Sequence, residues 1–149
     1  MNKIIQLVVL GSFLLFGSLI SKAETFSDQD VHCLATAIYY ESSGESIKGQ
    51  YAIGEVIMNR LHQKIGKTIC DIVNQKTGKH YQFGFNVRKI KGIPDSRLNY
   101  FLMIAQNVLN RGDSLRFPVN VLYFNNIPFK STKYKFYCKI GHQYFFSRS

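Results

Sequence analysis

One acid in this chain is placed as a proton donor would be. Leu34, Ile38 and Glu41 are spaced by four and three residues, so on a helix they share a face. Glu41 then lies in line with apolar residues at the end of that helix, directly after Tyr39 and Tyr40. Burial among such neighbours disfavours the carboxylate and raises its pKa. A carboxylic acid kept neutral near physiological pH can protonate a glycosidic oxygen. The competing reading is a helix-end glutamate turned to solvent. A second carboxylate is harder to find. Glu45 lies four residues on, but Gly44 ends the helix between them. Glu55 belongs to a second helical pattern, with Tyr51 and Asn59 on its face. Asp71, Asp95 and Asp113 fall at helix starts or ends, where capping and dipole compensation account for them.

The candidate substrate-binding residues are Tyr40, Glu45, Gln82 and Phe83. Gln82 offers hydrogen bonds and Phe83 a ring to stack under a sugar, with loop packing as the alternative for both. Tyr40 reads as core packing rather than a catalytic phenol. Asn59 and Arg60 read as residues that hold a helix pair together, with a reach to substrate as the second possibility. His32, His62 and His80 read as surface or helix-end residues. The cysteine and histidine spacings contain no CxxC or HExxH, so neither a metal nor a cofactor is expected.

The elements that must position these groups follow from periodicity. Ser27 with Asp30 three residues on marks a helix start, and Val31, Leu34, Ala35 and Ile38 continue one face to about Ser43. A second helix covers Ile47 to about Gln63, with Ile53, Val56, Ile57 and Leu61 as its stripe. Gly49, Ala52 and Gly54 leave room there for another backbone. A short third helix runs from Thr68 to Asn74. Residues 75–94 are polar and basic and read as a long loop. A fourth helix spans Asp95 to Asn110 and is closed by Gly112. After Pro118, Val119–Phe124 and Tyr134–Phe146 are aromatic and partly alternating, reading as short strands around a turn at residues 125–132. The expectation is one α+β domain, mostly helical, with a small β element near the C-terminus.

The chain has 149 residues, 46% of them hydrophobic and 19% charged. It is long enough for one domain and too apolar for a disordered chain. Lys3, the apolar run Ile4 to Ile20 and the small residues of Ser21-Lys22-Ala23 read as a secretory signal over residues 1–23, with a retained membrane anchor as the alternative. Its removal takes Lys3 and Lys22 and leaves residues 24–149. The net charge then falls from +10 to +8. The working part is therefore expected outside the cytoplasm, secreted or periplasmic, with no membrane partner after cleavage and as a monomer. An oxidising compartment allows one disulfide among Cys33, Cys70 and Cys138, with the pairing open. The basic cluster Arg88, Lys89 and Lys91 is short, and no nucleic-acid motif accompanies it, so no nucleic-acid partner is expected. The positive charge suits an anionic polymer.

The stretch Cys33-Leu34-Ala35-Thr36-Ala37-Ile38-Tyr39-Tyr40-Glu41-Ser42-Ser43-Gly44-Glu45, followed by Gly49-Gln50-Tyr51-Ala52 and closing on Asn59-Arg60, resembles the opening signature of the cell wall hydrolases of the spore cortex-lytic type. Thr68–Val73, Tyr81-Gln82-Phe83, Ile140-Gly141 and Phe145-Phe146 extend the resemblance along nearly all of the mature chain. It implies a lysozyme-like, peptidoglycan-cleaving domain with Glu41 as the catalytic acid. Two departures stand out. The family usually has Ala-Arg after that glutamate, where this chain has Ser42-Ser43. It usually has His two residues after the late glycine, where this chain has Gln143, with His142 one place earlier.

With one evident acid, the expected chemistry is lytic transglycosylation between N-acetylmuramic acid and N-acetylglucosamine. Glu41 acts there first as acid and then as base. Hydrolysis by an N-acetylmuramidase, with Glu45 or Glu55 orienting water, is the alternative. A non-catalytic wall-binding module is the non-enzymatic one.

Overall fold

The computed structural model describes residues 25–85, 91–110 and 116–149. The signal segment, Arg88, Lys89, Gly112 and Asp113 lie outside the described residues. The fold is α+β. Four helices, α1 (Asp28–Ser42), α2 (Ile47–His62), α3 (Ile69–Val73) and α4 (Asp95–Leu109), surround the core. Two short strands, β1 (Lys76–Thr77) and β2 (His80–Tyr81), follow α3. The chain ends in β3 (Val121–Asn125), β4 (Tyr134–Ile140) and β5 (Gln143–Arg148). The last three form an antiparallel sheet in the order β3-β5-β4.

Local chemistry sets the helix ends. The Asp30 amide donates to Ser27 Oγ at 3.1 Å, capping α1. The Asp30 carboxylate also accepts from the Ile69 amide at 3.0 Å. One acid thus serves the starts of both α1 and α3, where backbone N–H groups lack helical partners. A reciprocal capping box between Thr68 and Asp71 completes the start of α3. Beside it, Cys33 and Cys70 form a disulfide, leaving Cys138 free and half-buried.

The apolar stripes meet as their periodicity requires. Leu34 and Ile38 of α1, Ile53 and Ile57 of α2, and Phe101 and Ile104 of α4 are all fully buried. Burying each such side chain contributes about 1.5–3 kcal/mol. Gly54 marks the α2–α4 crossing, since a Cβ there would lie 2.7 Å from Val108 Cγ2. The sheet is fastened to α2 by hydrogen bonds to backbone carbonyls. Asn59 Nδ2 donates to Pro118 O at 2.9 Å and to Val121 O at 3.1 Å, and Arg60 Nε donates to Leu122 O at 2.8 Å.

Two segments differ from the expectation. The loop after α3 contains the β1–β2 hairpin, Lys76 pairing with Tyr81 and Thr77 with His80. Gly78 turns it at φ +61, a conformation in which glycine has no Cβ penalty. The C-terminal aromatic stretch is likewise broken by a two-residue turn. Ile140 pairs with Gln143, and Gly141 sits at φ +57 between β4 and β5.

Candidate active site

Glu41 occupies the last turn of α1, on the side that carries Leu34 and Ile38 into the core. Its carboxyl end opens into a cleft of about 300 Å³. Each wall comes from a different element: Glu41 from α1, Arg60 from α2, Gln82-Phe83-Gly84 after β2, Phe124-Asn125-Asn126 from the end of β3, and Gln143 from the start of β5. Gln143 Nε2 donates to the Glu41 carbonyl at 3.4 Å, bracing the sheet against the helix end.

Burial pushes the pKa of Glu41 up from its ordinary 4.5 to about 7, against the pull of the positive charge on Arg60. Arg60 is itself buried, and its guanidinium lies 5.0 Å over the Phe83 ring and 5.6 Å over that of Tyr123. Burial lowers its pKa, while the phenol of Tyr123 and the carboxyl of Glu41 favour its charged form. Its Nε is used on Leu122 O, and its Nη1 is buried with no acceptor among the described residues. A buried guanidinium N–H left unbonded is costly, and it sits in a residue that lines the cleft beside Glu41. Arg60 thus ties α2 to β3 and also presents a charge to the cavity.

The other sequence candidates fall in different places. Phe83 is 3% exposed, wedged between Arg60 and Phe124, and forms cleft floor. Gln82 is exposed at the rim, and its amide donates to Thr77 Oγ1 across the β1–β2 hairpin. Tyr40 is not core packing. The ring is 39% exposed, its hydroxyl donates to the Lys91 carbonyl, and it leans on Phe85 at 5.1 Å. One residue along a helix turns by about 100°, which carries Tyr40 away from the face of Leu34 and Ile38.

Glu45 lies outside the cleft lining. Its carboxylate accepts from the His142 backbone N–H at 3.1 Å and meets His142 Nδ1 at 3.0 Å. A Cβ on Gly141 would lie 1.8 Å from Glu45 Oε2. Glu45 therefore clamps the β4–β5 turn, and through it sets the position of the adjacent Gln143. Glu55 lines a separate cavity of about 200 Å³ with His62, Arg116 and Phe117, so it does not share a site with Glu41. Asp71 caps α3, as its sequence position implies. Phe124, Asn125 and Asn126 are site residues that periodicity does not mark, and Gln143 stands out in sequence only as a departure from the family pattern. The one available signal was an Asn pair ending an aromatic strand.

Among the described residues, Glu41 is the only carboxylate lining the cleft. Nor does any group of three or more His, Cys, Asp or Glu among them stand close enough to hold a metal ion. The arrangement can donate and retake one proton beside a polar, amide-rich wall. Among proteins of known function, the Spore cortex-lytic enzyme of Bacillus subtilis (strain 168) is 48% identical over 40 residues, covering 27% of this chain and 13% of the relative's length. No solved structure matches the chain. The family model described as Cell Wall Hydrolase matches residues 44–146, well over half of the sequence. The chain belongs to the Cell Wall Hydrolase family.

Proposed function

We propose that this chain cleaves the glycan strand of peptidoglycan by lytic transglycosylation, with Glu41 as the single acid and base. The observation that carries the reading is the half-buried carboxyl of Glu41, pushed up to about 7 by desolvation and opening into a cleft where it is the lone acid among the described residues. Glu41 gives its proton to the oxygen joining N-acetylmuramic acid to N-acetylglucosamine, and the bond from C1 to that oxygen breaks. The 6-hydroxyl of the muramic sugar attacks the oxocarbenium-like C1, and its proton returns to the Glu41 carboxylate. A 1,6-anhydro end results, no water is consumed and the acid is regenerated. The attack is intramolecular, so holding the sugar in place supplies much of the rate. Arg60 supports the charged half of this cycle. Its guanidinium favours the carboxylate left after the first transfer. Gln143, Asn125 and Asn126 offer amides suited to N-acetylated sugars.

The disulfide suits a site of action outside the cytoplasm, as does a wall polymer as substrate. Among the described residues no helix is long and apolar enough to cross a membrane. Mass spectrometry of fragments released from purified sacculi tests the reaction. Anhydro ends are expected. Reducing ends would make the enzyme a hydrolase, and cleavage confined to stem peptides would refute glycan cleavage.

The pH dependence follows from the acid. Glu41 donates only when protonated, so kcat/KM should fall about tenfold per pH unit above a limb near pH 7. Removing the Arg60 charge (Arg60→Met) should move that limb to higher pH, because the group that pulls the pKa down is gone. A pH–rate series on soluble-fragment release checks both.

A further inference from the structure

We infer that the outward face of the β3-β5-β4 sheet is a second wall-binding surface, continuous with the cleft, that holds an anionic glycan strand. It rests on the reading of the chain as a peptidoglycan-cleaving enzyme. The strand register builds the face. Phe146 of β5 pairs with Tyr123 on one side and Phe136 on the other, and Tyr144 pairs likewise with Asn125 and Lys139. Side chains paired across strands share a face. The intervening row, with the fully buried Phe145, turns into the core. Phe146 is itself buried, 2% exposed under Phe129 at 4.6 Å and Phe136 at 6.1 Å, so the rings a glycan can reach on this face are Phe136 and the half-buried Tyr144. Phe136 is 56% exposed on an edge strand, and Lys139 Nζ stands 4.8 Å over the Tyr144 ring.

Two observations name the occupant. The first is charge. Lys139 and Arg148 fall on the outward row by their pairing with Tyr144 and Tyr134, and the one acid near the sheet, Glu45, is engaged by His142 at the β4–β5 turn. Lysines on an edge strand also discourage strand pairing between copies, but that role does not call for an aromatic row beside them. Rings interleaved with cations suit a polymer that offers both apolar sugar faces and the carboxylates of stem peptides. The second is continuity. Asn125 lines the cleft and is the register partner of Tyr144. A strand leaving the cleft over β3 therefore passes onto this face, which would keep the enzyme on an insoluble polymer between cuts.

The test uses the Glu41→Gln chain, so that binding is read without cleavage, in sedimentation with purified sacculi. Adding Phe136→Ala and Lys139→Gln should weaken binding about tenfold and flatten its salt dependence. Lys139→Glu alone, an exposed substitution that leaves every ring in place, should weaken it in the same direction. Unchanged sedimentation of both variants overturns the proposal. So does loss of binding to phosphatidylglycerol vesicles in place of sacculi, or a dimer-to-monomer change on light scattering. Soluble-fragment release by the unsubstituted chain is measured on the same sacculi. Failure there sinks the cleavage reading, while the sedimentation result still decides the surface.

Discussion

Glu41→Gln should reduce release of soluble fragments from purified peptidoglycan by a factor of about 10²–10⁴, while the protein folds and still sediments with the wall. Gln keeps the size and most of the hydrogen bonding of the acid but has no proton to give. Among the described residues the cleft lining supplies no second carboxylate to take over, so residual activity should be small. The stability effect has the opposite sign. In the folded chain the Glu41 pKa is raised from 4.5 to about 7, so between these values the folded state holds a proton that the unfolded state has lost. Stability therefore falls as pH rises through that window. Above pH 7 the deficit is on the order of 1–3 kcal/mol, and Gln removes it. The inactive variant should thus melt higher than the parent at alkaline pH and show little difference near pH 4. A calorimetric series run beside the activity assay reads both. A fall in melting temperature at alkaline pH, or activity within a few fold of the parent, would contradict the assignment.

Removing the disulfide should give the largest loss of stability. Cys33 and Cys70 are 37 residues apart in sequence, and chain-entropy arguments give about 4 kcal/mol for a loop of that size. For a domain of this length that corresponds to a fall of about 10–20 °C in Tm. Cys33→Ala with Cys70→Ala should show it, and reductant should destabilise the parent but leave the double variant unmoved. The bonds from Asp30 to the Ile69 and Cys70 amides hold the same junction, so the variant should still fold at low temperature. Cys33 lies eight residues before Glu41, about 12 Å along the helix. Cleavage at low temperature should therefore survive. A double variant as stable as the parent would mean that Asp30 alone secures α3.

What the sequence could say about this site follows from the range of each interaction. The placement of Glu41 rests on residues within one helix, and the spacing of Leu34, Ile38 and Glu41 carries it directly. The helices and the late switch to strands have periodic patterns of their own. The far wall has none. Gln143 is 102 positions from Glu41 and meets it only because the turn at Gly141 folds β5 back along β4. The role of Glu45 was hidden for the same reason, since its partner His142 is 97 positions away. Three cysteines allow three pairings, and the choice comes from the packing of α1 against α3. Arg60 shows a different limit. A structural arginine and a site arginine look the same in sequence, and here one side chain fills both positions.

Proton donation by Glu41 requires that it remain a neutral acid at neutral pH because of where α1 ends. Titration of its side-chain carboxyl by carbon-13 NMR, assigned with the Glu41→Gln variant, reads that directly. A midpoint near 7 is the expected result; a midpoint at the ordinary value of 4.5 would mean the carboxylate is already charged when the substrate arrives, and that some other group supplies the proton.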